Sequence, residues 1–372
     1  MIQGNPQLVR SIVEQIRRSP DQAISFHDYM EQCLYHPEYG YYMSDRTKIG
    51  REGDFYTSSS IGTIMGEVLA RYIASQAAYF GPGAALRVVE WGGGTGRLAR
   101  LILDELKRLD TDLYERTAYI SVEKSERHRA MQQDALTEHK ERVQWMTDEQ
   151  WRSQGPWENV IIFSNELLDA FPVHRIQWIG GRPYELYVEW DESGQAFAEQ
   201  PFRLVEEDEP LGTYLHAQEV DFQEGQQLEV NLHALDWIRS IGAAVGRGQL
   251  ITVDYGDQAE ELYAEHRMKG TIIGYRSHMA SEQFYSAPGW QDITSHVNFT
   301  ALIRAGVHAG LRLKSCTTQK QFLLENGILQ MLQDAMGADP FSEAARRNRS
   351  IRQLLLSDQM SELFKVLVQE KR

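Results

Sequence analysis

The segment Val88-Val89-Glu90-Trp91-Gly92-Gly93-Gly94-Thr95-Gly96 joins an apolar run to an amphipathic one. Glycine lets the backbone pass close to a ligand with no Cβ between them, so a glycine turn between a strand and a helix suits an extended cofactor. Glu90 stands at the strand end just before the turn. A second carboxylate, Glu123, ends the run Ala118-Tyr119-Ile120-Ser121-Val122. An acid at that place can accept from both hydroxyls of a ribose. A third acidic station follows Val160-Ile161-Ile162-Phe163, where Glu166 and Asp169 lie within Ser164-Asn165-Glu166-Leu167-Leu168-Asp169-Ala170-Phe171-Pro172. Spaced three apart, they would share one face of a helical turn and could orient a cationic or amine acceptor and take its proton. The same residues also fit a capping arrangement that opens a short helix before Pro172.

The turn fails both phosphate-binding patterns. A dinucleotide fingerprint starting at Gly92 needs glycine at position 97, which is Arg97, and a phosphate loop needs Lys and Ser or Thr after Gly96. What remains, GxGxG behind an acidic strand end, resembles the S-adenosylmethionine site of class I methyltransferases. That cofactor has no phosphate to neutralise, so close backbone approach counts for more than charge at a helix end. Asp148, just beyond Val143–Met146, is the candidate for the adenine amino group, and a helix N-cap would explain it equally well.

These residues need a frame that brings strand ends together. From Leu86 onward, short β-rich runs alternate with amphipathic helical stretches: Leu86–Glu90, a helix from Thr95, Ala118–Glu123, a helix from Ser125, Arg142–Met146 and Asn159–Ser164. Such alternation marks βαβ units and a parallel sheet. Runs of period two around Gly180-Gly181 predict an antiparallel hairpin within an insertion, with the acidic run Glu206–Glu209 as a solvated loop. A helix near Asn231–Ala244, a strand Gln249–Asp254, and Leu311–Thr317 with a helix from Lys320 restore the rhythm. The last forty residues read as helical and charged.

Composition removes several classes. The 372 residues carry a net charge of −15, which disfavours nucleic acid and anionic lipid as partners. No apolar stretch is long enough for a membrane span, and the amino terminus has no cleavable-signal pattern, so a cytoplasmic protein is expected. Cys33 and Cys316 have no CxxC companion, which argues against a disulfide scaffold. Eleven histidines include no HExxH and no clustered Cys/His set, so no metal is expected, and no GxSxG elbow is present.

In motif order the chain resembles the MidA-type S-adenosylmethionine-dependent methyltransferases, a family that includes a mitochondrial protein arginine methyltransferase required for respiratory complex I assembly. The resemblance spans roughly residues 10 to 330. It rests on His36-Pro37-Glu38-Tyr39-Gly40-Tyr41-Tyr42, Gly53-Asp54-Phe55-Tyr56-Thr57, Glu90 through Gly96, Asn165 through Val173, Asp254-Tyr255-Gly256, Gly270-Thr271, and Gln291 through Phe299. It implies cofactor contacts at Gly53, Asp54, Thr57, Glu90, Gly92, Gly94, Glu123 and Asn165, to which the turn adds Gly96. It also raises the standing of Asp292 and His296, four apart and able to share a helix face, as catalytic residues beside Glu166 and Asp169. The chain departs from the family in carrying Ser58-Ser59-Ser60-Ile61 after Thr57, and Gly93 where the family often has proline.

The expected fold is therefore α/β, a class I methyltransferase Rossmann-like, mostly parallel sheet with an N-terminal helical and loop segment and an inserted antiparallel satellite. Its parts would be 1–82, with a cofactor-covering loop; a core of 83–335, with an insertion at about 173–230; and a helical 336–372. The segment Gly50–Thr57 is expected to become ordered over bound cofactor. The expected activity is S-adenosylmethionine-dependent transfer to a protein side chain, arginine by implication of the resemblance. A small-molecule methyltransferase and a non-catalytic cofactor-binding assembly factor are the alternatives. The oligomeric state is not legible.

Overall fold

Val160, Ile161, Ile162 and Phe163 are all fully buried, as befits a strand of a parallel sheet covered on both faces. The computed structural model that shows this describes residues 2–44, 59–276, 279–334, 339, 341–356 and 362–372. The expected lid, with Gly53, Asp54 and Thr57, lies outside the described residues. The chain divides into two units.

The unit built from Thr57–Leu167, Arg239–Tyr255 and Gly306–Arg372 holds the main sheet. Its strands run in the spatial order Arg312–Thr318, Phe364–Lys371, Val245–Asp257, Trp157–Asn165, Leu86–Trp91, Thr117–Val122 and Val143–Met146. Counted along the chain from Leu86–Trp91, this is a doubly wound order of 3-2-1-4-5-6 with a late strand inserted between the fifth and sixth. The first five strands pair in parallel, whereas Phe364–Lys371 is antiparallel to both its neighbours. The order reverses between Leu86–Trp91 and Trp157–Asn165, and ligands of open α/β sheets lie beyond the carboxyl ends of strands at that switch point. Helices Ser59–Ala77 and Arg97–Leu109 bury Val68, Leu69, Ile102 and Leu103 in a core shared with Val88, Ile161, Ile251 and Val366.

Phe364–Lys371 corrects the expectation of a helical carboxyl terminus. Among the described residues there, Glu343–Leu356 is a helix, whereas Val366, Leu367 and Val368 of the strand enter the core. Charged residues hid the strand in the sequence, because each finds a partner in the fold. Glu370 pairs with Arg312 and Arg372, and the Lys371 ammonium donates to the Gly242 carbonyl at 2.7 Å.

The other unit comprises Met1–Tyr56, Leu168–Ile238 and Gly256–Ala305. The hairpin expected around Gly180-Gly181 is present, His174–Ile179 pairing antiparallel with Arg182–Asp191. Strands Ala196–Leu204, Gln227–Val230 and Ala23–Ser25 complete its sheet. A buried arginine organises this unit. Arg175 forms ion pairs with Glu199 and Glu229 and lies 5.4 and 5.2 Å from the ring centres of Phe26 and Phe284. Both cysteines are free thiols.

Candidate active site

The glycine turn leaves the sheet at the switch point. Gly92, Gly94 and Gly96 have φ of +70°, +50° and +76°, a region in which a side chain is strained. The peptide N–H of Gly92 donates to Val122 O at 3.0 Å, and that of Gly96 closes the turn on Gly93 O at 2.9 Å. Gly96 then caps the helix Arg97–Leu109.

Glu90 lies beneath this turn, 3% exposed. A Cβ on Gly93 would come within 2.6 Å of Glu90 Oε2, so the turn closes directly over the carboxyl group. Burial, and secondarily the nearby Glu123, push the Glu90 pKa up to about 7, against the opposing effect of the Tyr119 hydroxyl, which donates to Glu90 Oε2 at 2.8 Å. The folded state thus holds this proton more tightly than the unfolded chain. Unfolding free energy therefore falls as pH rises from about 4.5 to about 7, and the full cost, about 3 kcal/mol, is present above that window. Glu90→Gln should remove this slope and be the more stable protein at pH ~8. Urea melts of ligand-free protein at both ends of the window check it, and an unchanged slope would refute the assignment.

Glu123 follows the second core strand. Its Oε1 accepts from Ser125 N at 2.8 Å and its Oε2 from Gln132 Nε2 at 3.3 Å. A carboxylate has about four lone-pair sites, so capacity remains for a ribose. Gln132 is the residue that sequence reasoning missed. Its Nε2 also donates to Gly94 O at 3.1 Å, and its Oε1 accepts from Ser121 Oγ at 2.7 Å and Trp145 Nε1 at 3.0 Å. One buried amide thus ties the turn, the acid and two core strands together. No motif signals it, because it lies on a polar helix, Glu126–Ala135. Gln132→Leu should cost roughly 2–5 kcal/mol of stability by orphaning buried polar groups, and should weaken S-adenosylmethionine binding about tenfold or more, as loss of a supporting hydrogen bond does elsewhere. Melts and calorimetry measure the two effects. Full affinity in the variant would show that the clamp does not position the site.

Asp148 is not the N-cap. Thr147 caps that short helix through a reciprocal bond with Gln150, and Asp148 pairs with Arg152 at 2.6 and 2.8 Å.

At the end of the fourth core strand, Asn165 Nδ2 donates to Glu166 Oε1 at 3.1 Å. Glu166 is exposed and has φ +50°, a left-handed conformation unusual for a side chain. Its N–H donates to Val253 O at 2.9 Å, and Leu167 N donates to Asp254 Oδ2 at 3.2 Å. Residues 166–169 form a bend and a turn, which corrects the expectation that Glu166 and Asp169 share a helix face. It also removes the capping alternative, since no helix begins there.

Beyond Leu167 the chain enters the second unit. Asp169 and Asp292 are 5% and 1% exposed. The Tyr42 hydroxyl donates to Asp292 Oδ2 at 2.7 Å. Burial, with Asp292 and then Asp169 nearby, holds the Tyr42 phenol well above its ordinary pKa, so it stays a donor. Ser295 N donates to Asp169 O at 3.0 Å, which brings the Asp169 turn beside the Asp292 strand. Asp292–Thr294 is a β-strand, so Asp292 and His296 do not share a helix face, contrary to expectation. His296 is fixed differently. Its backbone N–H donates to Thr271 Oγ1 at 3.0 Å, and Thr271 donates twice to the Glu229 carboxylate. Tyr42 belonged to a quoted motif, yet nothing in its spacing revealed a role.

A doubly wound sheet with a glycine turn at its switch point and an acid after the second strand is the class I arrangement that holds a nucleoside cofactor. Comparison with known proteins narrows this. The family model described as "Putative S-adenosyl-L-methionine-dependent methyltransferase" matches residues 68–317. A crystal structure of an uncharacterized Burkholderia thailandensis protein is 30% identical, covers 98% of this chain and 91% of its own, and superposes with a TM-score of 0.82. Another from the same organism, bound to S-adenosyl-homocysteine, is 29% identical with a TM-score of 0.84, over 98% of this chain and 92% of that one. Protein arginine methyltransferase NDUFAF7, mitochondrial, of Danio rerio is 27% identical across 92% of this chain and 82% of its own. The Drosophila melanogaster homolog is 26% identical over 73% of this chain, which spans 64% of that relative's length. The chain belongs to the MidA-type family of S-adenosylmethionine-dependent methyltransferases.

When bound, the cofactor supplies an electrophilic methyl group on a sulfonium. The glycine turn, whose backbone is open to close approach, and Glu123, with spare lone pairs, are the groups that would hold it. Among the described residues, no helix is long and apolar enough to cross a membrane.

Proposed function

We propose that this methyltransferase acts on the guanidinium of arginine in a protein. The buried acidic pair Asp169 and Asp292 around Tyr42 carries the reading. Two carboxylates can hold a guanidinium through paired, charge-assisted hydrogen bonds, and the proton lost on methylation needs an acceptor. The names of the NDUFAF7 relatives support the same acceptor. In this reading Glu166, Asp169, Asp292 and His296 orient the acceptor and take its proton. Glu90, Gly92, Gly94, Gly96, Glu123 and Asn165 serve the cofactor with Gly53, Asp54 and Thr57, and Asp148 takes the adenine amino group through lone pairs that Arg152 leaves unused.

Incubating the purified protein with methyl-labelled S-adenosylmethionine and a protein-rich lysate, followed by amino-acid analysis, tests this. Methylarginine is the expected product. Label confined to small molecules would point to a metabolite methyltransferase, and tight cofactor binding without any transfer to a non-catalytic assembly factor.

A further inference from the structure

Three histidines far apart in sequence converge in the unit that carries the hairpin. His27, in the first turn of helix Phe26–Tyr35, stacks on His174 with ring centres 4.7 Å apart and planes 16° apart. His233, from helix Leu232–Ala244, meets the same ring edge-on at 4.8 Å and 87°. Beside them, the donor atoms of His27, Asp28 and Glu31 lie within 4.8 Å of one another, and His27 Nδ1 is 3.2 Å from Asp28 Oδ1. His27 and Glu31 are one helical turn apart, the spacing that sets two ligands on one face.

We infer that His27, Asp28 and Glu31 form a binding site for a first-row divalent metal ion. Such ions bind imidazole nitrogen and carboxylate oxygen at about 2.0–2.2 Å, so donors around one ion stand about 3–4 Å apart, a spacing that the 3.2 Å His27–Asp28 pair meets and that small side-chain shifts within the 4.8 Å cluster would bring to Glu31. The set has nitrogen and oxygen donors and no thiolate, which suits zinc, cobalt, nickel or iron rather than copper(I). His174 does not complete the shell, because stacked rings cannot both point a nitrogen at one ion. It acts as a support instead. Glu185 Oε1 holds its Nδ1 at 2.6 Å, and Arg203 anchors Glu185 in turn at 2.6 Å, so the ring that backs His27 is itself fixed.

Calorimetry of the full-length protein with zinc chloride in a non-chelating buffer, and cobalt(II) absorption, test this. One ion per chain is expected, raising the melting temperature on saturation, with a cobalt spectrum of ligand-field bands and no thiolate charge transfer. His27→Ala and Glu31→Gln should each weaken zinc binding tenfold or more, while His308→Ala, at an exposed site elsewhere, should not. Glu31 is exposed, so Glu31→Gln decides the matter if His27→Ala fails to fold. No zinc binding by the wild type, or equal affinity in Glu31→Gln and wild type, would overturn the inference.

Discussion

Gly94→Val should abolish S-adenosylmethionine binding in a protein that still folds. Gly94 has φ +50°, and its carbonyl is held by Gln132, so the backbone cannot simply swing away. A β-branched residue there places methyl groups where the cofactor must pass and strains the turn by about 1–3 kcal/mol. Strain alone must be separated from obstruction. Gly180 supplies the control, since its φ is +58° and a Cβ there would meet nothing within 4 Å. Gly180→Val carries similar backbone strain in the hairpin and should keep cofactor affinity. Calorimetry with S-adenosylmethionine and S-adenosylhomocysteine compares the two. Unchanged affinity in folded Gly94→Val would mean that the cofactor turn lies elsewhere.

The glycine turn and the strand-end acid were legible because their signals are local. A glycine turn must follow its strand directly, and Glu123 closes the next one. Buried parallel strands such as Val160–Phe163 announce themselves as apolar runs. Where sequence reasoning failed, the deciding partner lay far along the chain. The Phe364–Lys371 strand is disguised by charges whose partners, Arg312 and the Gly242 carbonyl, are more than fifty residues away. Spacing alone predicts a helical turn at Glu166, because spacing carries no φ. The hydrogen bonds from its backbone to Val253 and from Leu167 to Asp254 set that geometry, and both come from the neighbouring strand. Tyr42 and Gln132 escaped for the same reason, since a hydrogen-bond partner 250 residues away or on an adjoining strand leaves no local pattern.

That geometry changes the expected result of removing the acidic groups. Glu166→Gln preserves shape and loses charge, so cofactor affinity should persist while transfer falls by roughly 10²- to 10⁴-fold, the range for general-base and positioning roles. Asp169→Asn and Asp292→Asn should act in the same direction. The three differ in how they combine. Both aspartates lie near Tyr42, which donates to Asp292, and residues that act as a unit are not additive. The Asp169→Asn/Asp292→Asn double variant should therefore lose little beyond the worse single. Glu166 stands in a left-handed bend held by the sheet and takes its hydrogen bond from Asn165 rather than Tyr42, so combining Glu166→Gln with Asp169→Asn should come closer to multiplying the two losses. Tyr42→Phe adds a control that keeps the ring and drops the donor. It should weaken turnover by less than Asp292→Asn if the hydroxyl only positions the carboxylate. Initial rates of label transfer to protein, with cofactor affinity measured beside them, give each comparison. Wild-type transfer in Glu166→Gln, Asp169→Asn and Asp292→Asn alike would remove these carboxylates from the chemistry and leave His296 as the remaining candidate to receive the proton.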